Sequence, residues 1–347
     1  EIITSDWSSD VCSSDLTAMA GNLFRLGGHE APPSITSVYL GSALTELLSR
    51  LDQADVSLPD RGPMDLGLAK LPSIIPYDSD RNRTAPVAFT GDKFEFRAPG
   101  ASQSIALPVT MFASLWAWGV QQMTDMIEER SSGGKDPMDV ALDAVKEAVR
   151  RGGDVLFEGD AYSREWHEEA RKRGLIQAGD MPGKIDLLLL PENKKMLEEL
   201  GVFHEHELEA LHDIRMEAFV RSLEIEVAIL YDMLWEGILP ALSKQLILEK
   251  NSLSALDGME FPEGEPWREY ILGLGRTRAA LIEDAHRLNE LRGRMAELPV
   301  RERADFLVGT AIPLMDSIRR RCDAAEVNMA ADIWPYPISR NLLSLSV

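Results

Sequence analysis

The stretch Lys93-Phe94-Glu95-Phe96-Arg97 is the most informative pattern in this chain. In a β-strand alternate side chains point to opposite faces, so Lys93, Glu95 and Arg97 share one face and the two phenylalanines share the other. The aromatic face is expected to be packed. The charged face would suit the wall of a site that handles a metal ion and anionic ligands. The same alternation is also typical of an ordinary half-exposed strand with its charges in solvent, and alternation alone favours that reading.

The neighbouring residues predict that this strand belongs to a hairpin. Val87–Phe89 is a second apolar run, and the three residues between the two runs, 90–92, include a glycine. Short turns that contain glycine are typical connections between antiparallel strands. The sequence therefore predicts a small antiparallel sheet around the charged strand.

Helices are expected on both sides of this hairpin. Ser34 suits an N-cap, and apolar residues recur at helical spacing over 34–51, whereas 52–80 holds four prolines and is expected to be a loop. After Leu107 the apolar spacing predicts further helices over residues 108–129, 137–151, 163–173, 192–199, 205–249, 265–297 and 302–329. The longest is typical of a helical bundle, and Gly237 and Pro240 are expected to bend or break it. The fold class expected is α+β.

Composition limits the partners of the chain. The net charge is −21, with 57 acidic against 36 Lys and Arg residues, and most of the excess lies after residue 105. This argues against nucleic acid, whose phosphates need a basic surface. No apolar run is long enough to cross a membrane, so no membrane partner is expected. The two cysteines are Cys12 and Cys322, which fits a reducing, cytoplasmic location.

Residues 1–16 are expected not to be natural protein. The run Ser-Asp-Trp-Ser-Ser-Asp-Val-Cys-Ser-Ser-Asp-Leu over 5–16 resembles a translated sequencing adapter. We therefore expect 1–16 to be disordered and leave it out of the fold prediction. The natural chain is expected to have an N-terminal part that is missing here.

Two motifs are weighed and set aside. Gly133-Gly134-Lys135 is similar to a phosphate-binding loop, but Glu129 stands where that loop needs glycine and Asp136 where it needs Ser or Thr. The segment 204–207, His-Glu-His-Glu, offers metal-ligand types. Side chains two apart on a helix do not face each other, so a solvated helix start is favoured.

Three patterns together resemble the glutamine synthetase family. Residues 21–33, Gly-Asn-Leu-Phe-Arg-Leu-Gly-Gly-His-Glu-Ala-Pro-Pro, resemble the family's Arg to Glu-Ala-Pro loop. Residues 82–84, Asn-Arg-Thr, resemble its phosphate-contacting motif, and 93–97 resembles its basic-x-Glu-x-Arg strand. Segments at 201–203, 238–241 and 334–337 fit the type III branch, so the resemblance runs from about Ala20 to the end.

The resemblance implies a fold and an activity. Residues 17–125 would be the C-terminal part of a catalytic β-sheet or barrel domain, and 126–347 a largely helical C-terminal region. The family uses ATP to phosphorylate the side chain of glutamate, and ammonia then displaces phosphate to give glutamine. Mg²⁺ or Mn²⁺ would be bound, and the chain would form a homo-oligomer whose site is shared between subunits.

The resemblance also implies roles on the phosphate side of the site. Glu95 would be a ligand of the divalent cation, since hard cations prefer carboxylate oxygen. Arg83 would contact the transferring phosphate, which a guanidinium can bind through two hydrogen bonds. Lys93 would fill the position of a base on the nucleotide side.

On the glutamate side, Arg97 and Arg25 would hold the substrate and the charge that develops on it. Glu30 would lie on a loop that closes over the site and takes a proton from ammonium. His29, beside it, stands where the family commonly has Asn, and a loop role is favoured over a catalytic one.

Departures from the family pattern leave alternatives open. Ala88 stands where many glutamine synthetases have a second arginine, although the type III pattern also tolerates alanine. Leu23-Phe24 replaces an expected Asp-His pair. One alternative is a ligase that joins glutamate to another amine. Another is that the acidic helical region is an assembly module without its own activity. Because one carboxylate cannot build a catalytic metal site, the chain alone is expected to be inactive.

Overall fold

The computed structural model describes residues 35, 37–51, 85–91, 93–96, 104–131, 134–161, 163–175, 180–255 and 264–338. The expectations for residues 1–34 and 52–84 therefore lie outside the described residues. The chain divides into two compact units, Glu1–Arg215 and Met216–Val347. The boundary between 125 and 126 implied by the family resemblance stays a prediction.

The first unit contains a three-stranded sheet. Its strands are β1, Val38–Tyr39, β2, Val87–Phe89, and β3, Phe94–Phe96. β2 lies in the middle, parallel to β1 and antiparallel to β3. The predicted hairpin is thus confirmed.

The helix predicted over 34–51 is only partly present. Helix α1 covers Ser42–Ser49, whereas Val38–Tyr39 before it forms β1. Val38 is β-branched and Tyr39 aromatic, types that are enriched in strands, and pairing with β2 satisfies their backbone groups. Tertiary pairing therefore overrides the helical spacing in this part of the sequence.

The helices predicted for the first unit are present with shifted ends, and one further short helix, Met181–Asp186, was not predicted. They are α2 Ala106–Ser131, α3 Pro137–Gly152, α4 Arg164–Lys172, α5 Met181–Asp186, α6 Pro191–Glu199 and the first part of α7, Glu205–Asp232. Short 3₁₀ turns lie at Gly153–Val155 and Leu187–Leu189. Side chains cap three of these helices, since Asp136, Ser163 and Asp180 each accept a hydrogen bond from a backbone N–H of the first turn.

Two buried clusters hold this unit together. One joins α2, α6 and α7 through the buried side chains Met111, Leu115, Leu188, Met196, Leu197 and Leu208. The other surrounds Trp166, which is 1% exposed and stacks on Phe157 with ring centroids 3.9 Å apart. Burial of such apolar area is the main favourable contribution to folding.

The second unit consists of helices in the described residues. After the rest of α7 come α8 Leu239–Ser254, α9 Gly264–Met295, α10 Val300–Phe306 and α11 Ile312–Val327. Its core is made of fully buried side chains on these helices, including Leu234, Leu242, Leu281, Leu288, Leu307 and Ile318. Among the described residues, no helix is both long and apolar enough to cross a membrane.

Two π-helical segments interrupt the helices of this unit. They cover Met233–Ile238 and Leu307–Ala311, and each ends two residues before a proline, Pro240 or Pro313. Proline has no N–H, and its ring clashes with the carbonyl four residues earlier. That carbonyl lies inside the π-helical segment in both cases, so widening the turn accommodates the proline. The bend or break expected at Gly237 and Pro240 is thus a local widening within a continuing helix.

Candidate functional site

The hairpin places two of the predicted site residues on one face. Lys93 precedes β3 and Glu95 lies at its centre, directly opposite Ala88 of β2 in the strand register. Residues opposite each other in an antiparallel pair share a face of the sheet. Ala88 is fully buried, whereas the side chains of Lys93 and Glu95 are 61% and 41% exposed. The Glu95 side chain therefore lies on the same face of the sheet as the small, fully buried side chain of Ala88.

A tight turn fixes this geometry. Gly91 has a φ of 99°, a left-handed conformation that glycine adopts without a steric penalty. The Thr90 amide donates to the Lys93 carbonyl at 2.9 Å, and the Thr90 hydroxyl donates to the same oxygen at 3.3 Å. The turn thus sets the register that brings Glu95 opposite Ala88.

The other face of β3 carries the aromatic rings and packs on α2. The Phe96 ring lies 5.4 Å from that of Phe112, and Phe96 packs against the buried cluster around Met111. The Phe94 ring lies 5.4 Å from that of Trp116, although Phe94 keeps 37% of its surface exposed. The expectation of a packed aromatic face is confirmed for Phe96 and only in part for Phe94, and α2 packs against this face of the strand.

Lys93 and Glu95 form a weak ion pair on the charged face. The Nζ atom of Lys93 lies 3.7 Å from Oε1 of Glu95. Exposed pairs of this kind contribute only about 0–1 kcal/mol, because water screens them and both side chains must be ordered. The two groups can therefore exchange partners at little cost when a ligand with its own charges arrives.

Glu95 suits one position in the coordination of a hard divalent cation. It is a carboxylate, half-exposed, on a rigid strand, and Mg²⁺ and Mn²⁺ prefer such oxygen ligands. Across the part of the chain that the structure describes, His, Cys, Asp and Glu side chains form no group of three that could hold a metal ion. The described residues thus offer a ligand and not a complete metal centre.

The remaining predicted site residues are Arg25, Glu30, Arg83 and Arg97, and all four lie outside the described residues. Arg83 precedes β2 by four positions in sequence, and Arg97 directly follows β3. The structure brings together only Lys93 and Glu95 of the predicted set.

Sequence reasoning missed the support that the hairpin receives from α2. Trp116 and Phe112 are one turn apart on α2 and their rings lie 6.4 Å from each other, so they form a continuous aromatic contact with β3. The signal was present as two aromatic residues at helical spacing in an apolar helix. Nothing in the sequence tied that pair to this strand.

The chain is similar in sequence to one protein family and to several known proteins. The profile of the glutamine synthetase C-terminal domain family matches residues 141–254. The chain is 30% identical over 343 residues to the type-3 glutamine synthetase of Dictyostelium discoideum, an alignment that covers 94% of this chain and 45% of that protein. It is 28% identical over 340 residues to a glutamine synthetase of Bacteroides fragilis (strain YCH46), with 93% and 46% covered.

The chain thus spans about half the length of the curated relatives it matches. The matched domain includes α7, α8 and most of α3, all of which lie after the hairpin. The alignment with the Dictyostelium protein is far wider and covers nearly the whole chain. The resemblance to type III glutamine synthetases is therefore confirmed over most of the chain, and residues 141–254 match the model of the glutamine synthetase C-terminal domain family.

Proposed function

We propose that this chain supplies part of the active site of a ligase that joins ammonia to glutamate at the expense of ATP. The observation that carries the proposal is the hairpin, which sets Lys93 and Glu95 side by side in a chain related to glutamine synthetases over 94% of its length. In this proposal residues 17–125 belong to the catalytic domain and 126–347 form a helical C-terminal region.

Glu95 would hold the divalent cation together with ligands from outside the described residues. When bound, Mg²⁺ or Mn²⁺ neutralises phosphate charge and orients the reacting oxygen atoms. Lys93 lies beside Glu95 and would place its ammonium group towards ATP phosphates, as a mobile point charge.

Arg83 and Arg97 flank the hairpin in sequence, and we propose that both act on the reacting groups. Arg83 would bind the transferring phosphate, and Arg97 together with Arg25 would hold glutamate and the charge on its acyl phosphate. Phosphoryl transfer depends mainly on positioned cations, because the protein has little covalent chemistry to perform. Glu30 would take the proton that ammonium must lose before it can attack.

A graft tests the proposal. Residues 80–100 of this chain would replace the aligned hairpin of the Bacteroides fragilis glutamine synthetase, and ATP-dependent glutamine formation would be measured. The graft should stay active, and Glu95→Gln within it should lower the rate at least about 100-fold. Mutating residues that only support metal ligands already lowers metal affinity or activity about 10–100-fold, and a direct ligand should matter at least as much. Thr90→Ser in the same graft is the matched control and should keep the rate.

The outcomes separate the alternatives. An active graft that tolerates Glu95→Gln contradicts the proposed metal role. Rates measured with ammonia and with small primary amines show whether the acceptor is ammonia or another amine. Proper folding of each graft is checked by size-exclusion chromatography before the rates are compared.

The purified chain alone is expected to show no ATP- and glutamate-dependent incorporation of ammonia. The physical reason is that Glu95 supplies a single carboxylate, whereas cations of this kind need several oxygen ligands. The measurement is release of phosphate coupled to formation of glutamine. Robust turnover by the chain alone would show that its own residues complete the site.

We also propose that the chain forms a homo-oligomer and that the helical region takes part. Two isoleucines on α7, Ile225 and Ile229, are 58% and 52% exposed, and Ile247 and Leu248 on α8 are 60% and 49% exposed. Exposed apolar side chains that recur along a helix favour contact with another protein surface. Light scattering should show that Ile225→Glu lowers the molar mass, whereas Val327→Glu, at an 84% exposed position on α11, should leave it unchanged.

A further inference from the structure

His204 and His206 come together at the start of α7, contrary to the expectation from their spacing. The backbone amides of Glu207 and Leu208 donate to the His204 carbonyl at 3.0 and 3.1 Å, so His204 is the N-cap and lies just before the helix. The rule that side chains two apart do not face each other holds for two helical residues. Here the imidazole rings are nearly parallel, at 10°, with centroids 5.7 Å apart.

The neighbouring carboxylates are already engaged. The Glu207 side chain accepts a hydrogen bond from the His204 amide at 2.8 Å, as in a capping box. The Glu205 side chain accepts one from the Lys194 ammonium at 2.9 Å, and this pairing raises the pKa of Lys194 and lowers that of Glu205. Both histidines are exposed, and within the described residues neither imidazole has a hydrogen-bond partner. The ring nitrogens are therefore the available donor atoms at this helix start.

We propose that His204 and His206 together bind one divalent first-row transition-metal ion, such as Zn²⁺, Ni²⁺ or Cu²⁺. Imidazole nitrogen is a preferred ligand of these ions and a poor one for Mg²⁺, so this site is distinct in chemistry from the proposed carboxylate site at Glu95. Water completes the coordination, since the described residues hold no group of three ligand side chains.

The spacing of the rings fits this role. Two imidazoles on one tetrahedral Zn²⁺, each with a metal–nitrogen distance of about 2.0–2.1 Å, have ring centres roughly 5 Å apart. The observed separation of 5.7 Å is close to that value. An imidazole binds a metal in its own ring plane, and an ion cannot lie in two parallel planes, so at least one ring must turn away from the observed 10° arrangement before both can bind one ion. The terminal torsion that allows this turn is broad for histidine. Exposure of both side chains lets them rotate without disturbing the core.

Isothermal titration of the untagged chain with ZnCl₂, and separately with NiCl₂, tests the proposal. The wild-type chain should bind one ion at its tightest site. His204→Gln and His206→Gln should each weaken that site at least about tenfold, since each removes one of two protein ligands. The matched control is His286→Gln, which alters another exposed histidine and should leave the affinity unchanged.

A structural readout accompanies the titration. Substoichiometric Cu²⁺ should broaden the NMR signals of the His204 and His206 rings before those of the other histidines, because the unpaired electron acts only at short range. All variants should melt within a few degrees of the wild type, since both positions are exposed. The proposal is overturned if the variant that lacks both histidines binds Zn²⁺ as tightly as the wild type, or if His286→Gln weakens binding as much.

Discussion

At the scale of single residues, many of the ion pairs among the described residues join side chains one helical turn apart, and a few charged side chains are buried. Pairs such as Arg164 with Glu168 lie on exposed helix surfaces and contribute little to stability. Glu147 and Lys184 differ from these. Each is largely shielded from water, so its protonation is coupled to folding.

Glu147→Gln is expected to lower stability in a manner that depends on pH. Oε1 of Glu147 accepts from Arg150 at 2.7 Å and from Arg151 at 2.6 Å, and these bonds lower its pKa from 4.5 to about 2. A carboxyl with a lowered pKa stabilises the fold fully above 4.5, and the stabilisation is lost as pH falls towards 2. The wild type should exceed the variant by about 1–2 kcal/mol at neutral pH, reduced from the full linkage value because Arg150 is exposed.

Urea unfolding at a series of pH values measures this difference, which should shrink below pH 4.5. The control is Glu168→Gln, whose carboxylate is exposed and lies 3.6 Å from Arg164. A difference that stays constant across the acidic range would show that the loss comes from packing and not from charge.

Lys184→Met is expected to stabilise the protein at neutral pH by about 1 kcal/mol, because a buried ammonium group is costly to desolvate. Lys184 is 6% exposed, and burial lowers its pKa from 10.5, an effect that Asp180 partly opposes. The cost is fully present while the lysine stays protonated in the fold, and it disappears as pH approaches 10.5. The stability difference between the Lys184→Met variant and the wild type should therefore become smaller as pH rises.

Thermal melting at neutral and alkaline pH checks this prediction. Lys195→Met alters a neighbouring lysine that is 68% exposed and should leave stability nearly unchanged. A Lys184→Met variant that is less stable than the wild type at neutral pH would show that the ammonium group makes stabilising contacts in the fold.

At the scale of elements, the π-helical segment Met233–Ile238 is in contact with a residue near the C-terminal end of the described chain. The Tyr336 hydroxyl donates to the Met233 carbonyl at 3.3 Å and lies over Gly237. Widened turns leave carbonyl groups without their usual helical partner, and a side chain from elsewhere can supply the missing donor. Glycine at 237 leaves room for that ring.

Gly237→Ala should therefore destabilise the protein by about 1–3 kcal/mol, the usual cost of overpacking. A Cβ atom at this position would lie 2.5 Å from the Tyr336 hydroxyl oxygen. Urea unfolding measures the loss, and it should be smaller in a Tyr336→Phe background, because the clashing oxygen is gone.

Gly309→Ala is the matched control in the second π-helical segment, where a Cβ atom would meet nothing within 4 Å. It should be neutral or slightly stabilising, since alanine favours helix over glycine by about 1 kcal/mol. Equal losses at both positions would show that backbone conformation, and not the Tyr336 contact, sets the requirement for glycine.

The elements also show what the sequence could predict. Local signals sufficed for the hairpin, because Gly91 sits between two alternating runs, and for most helices, because their apolar spacing is regular. β1 was missed, since two residues carry no periodicity and their strand is created by pairing with β2. Pro240 marked the first interruption, whereas the second, before Pro313, was not predicted. Proline alone does not distinguish a break from a widened turn. The His204 and His206 contact depends on where α7 begins, and helix ends are the least certain part of any sequence prediction.

At the scale of the whole molecule, acidity is the dominant property. With a net charge of −21 and a pI of about 4.7, the chain should repel polyanions at neutral pH. Fluorescence anisotropy of a labelled DNA duplex should show no binding at physiological salt. Binding at neutral pH would point to a local basic surface that the net charge conceals.

One buried position in the hairpin limits how the proposed site can change. Ala88 is fully buried beside Glu95, at a place where many glutamine synthetases carry arginine. A guanidinium group is much larger than the alanine methyl group, so an arginine at 88 would have to displace the packed neighbours of this position and would cost stability. A positive charge beside Glu95 is therefore supplied more easily from another strand or loop than from position 88.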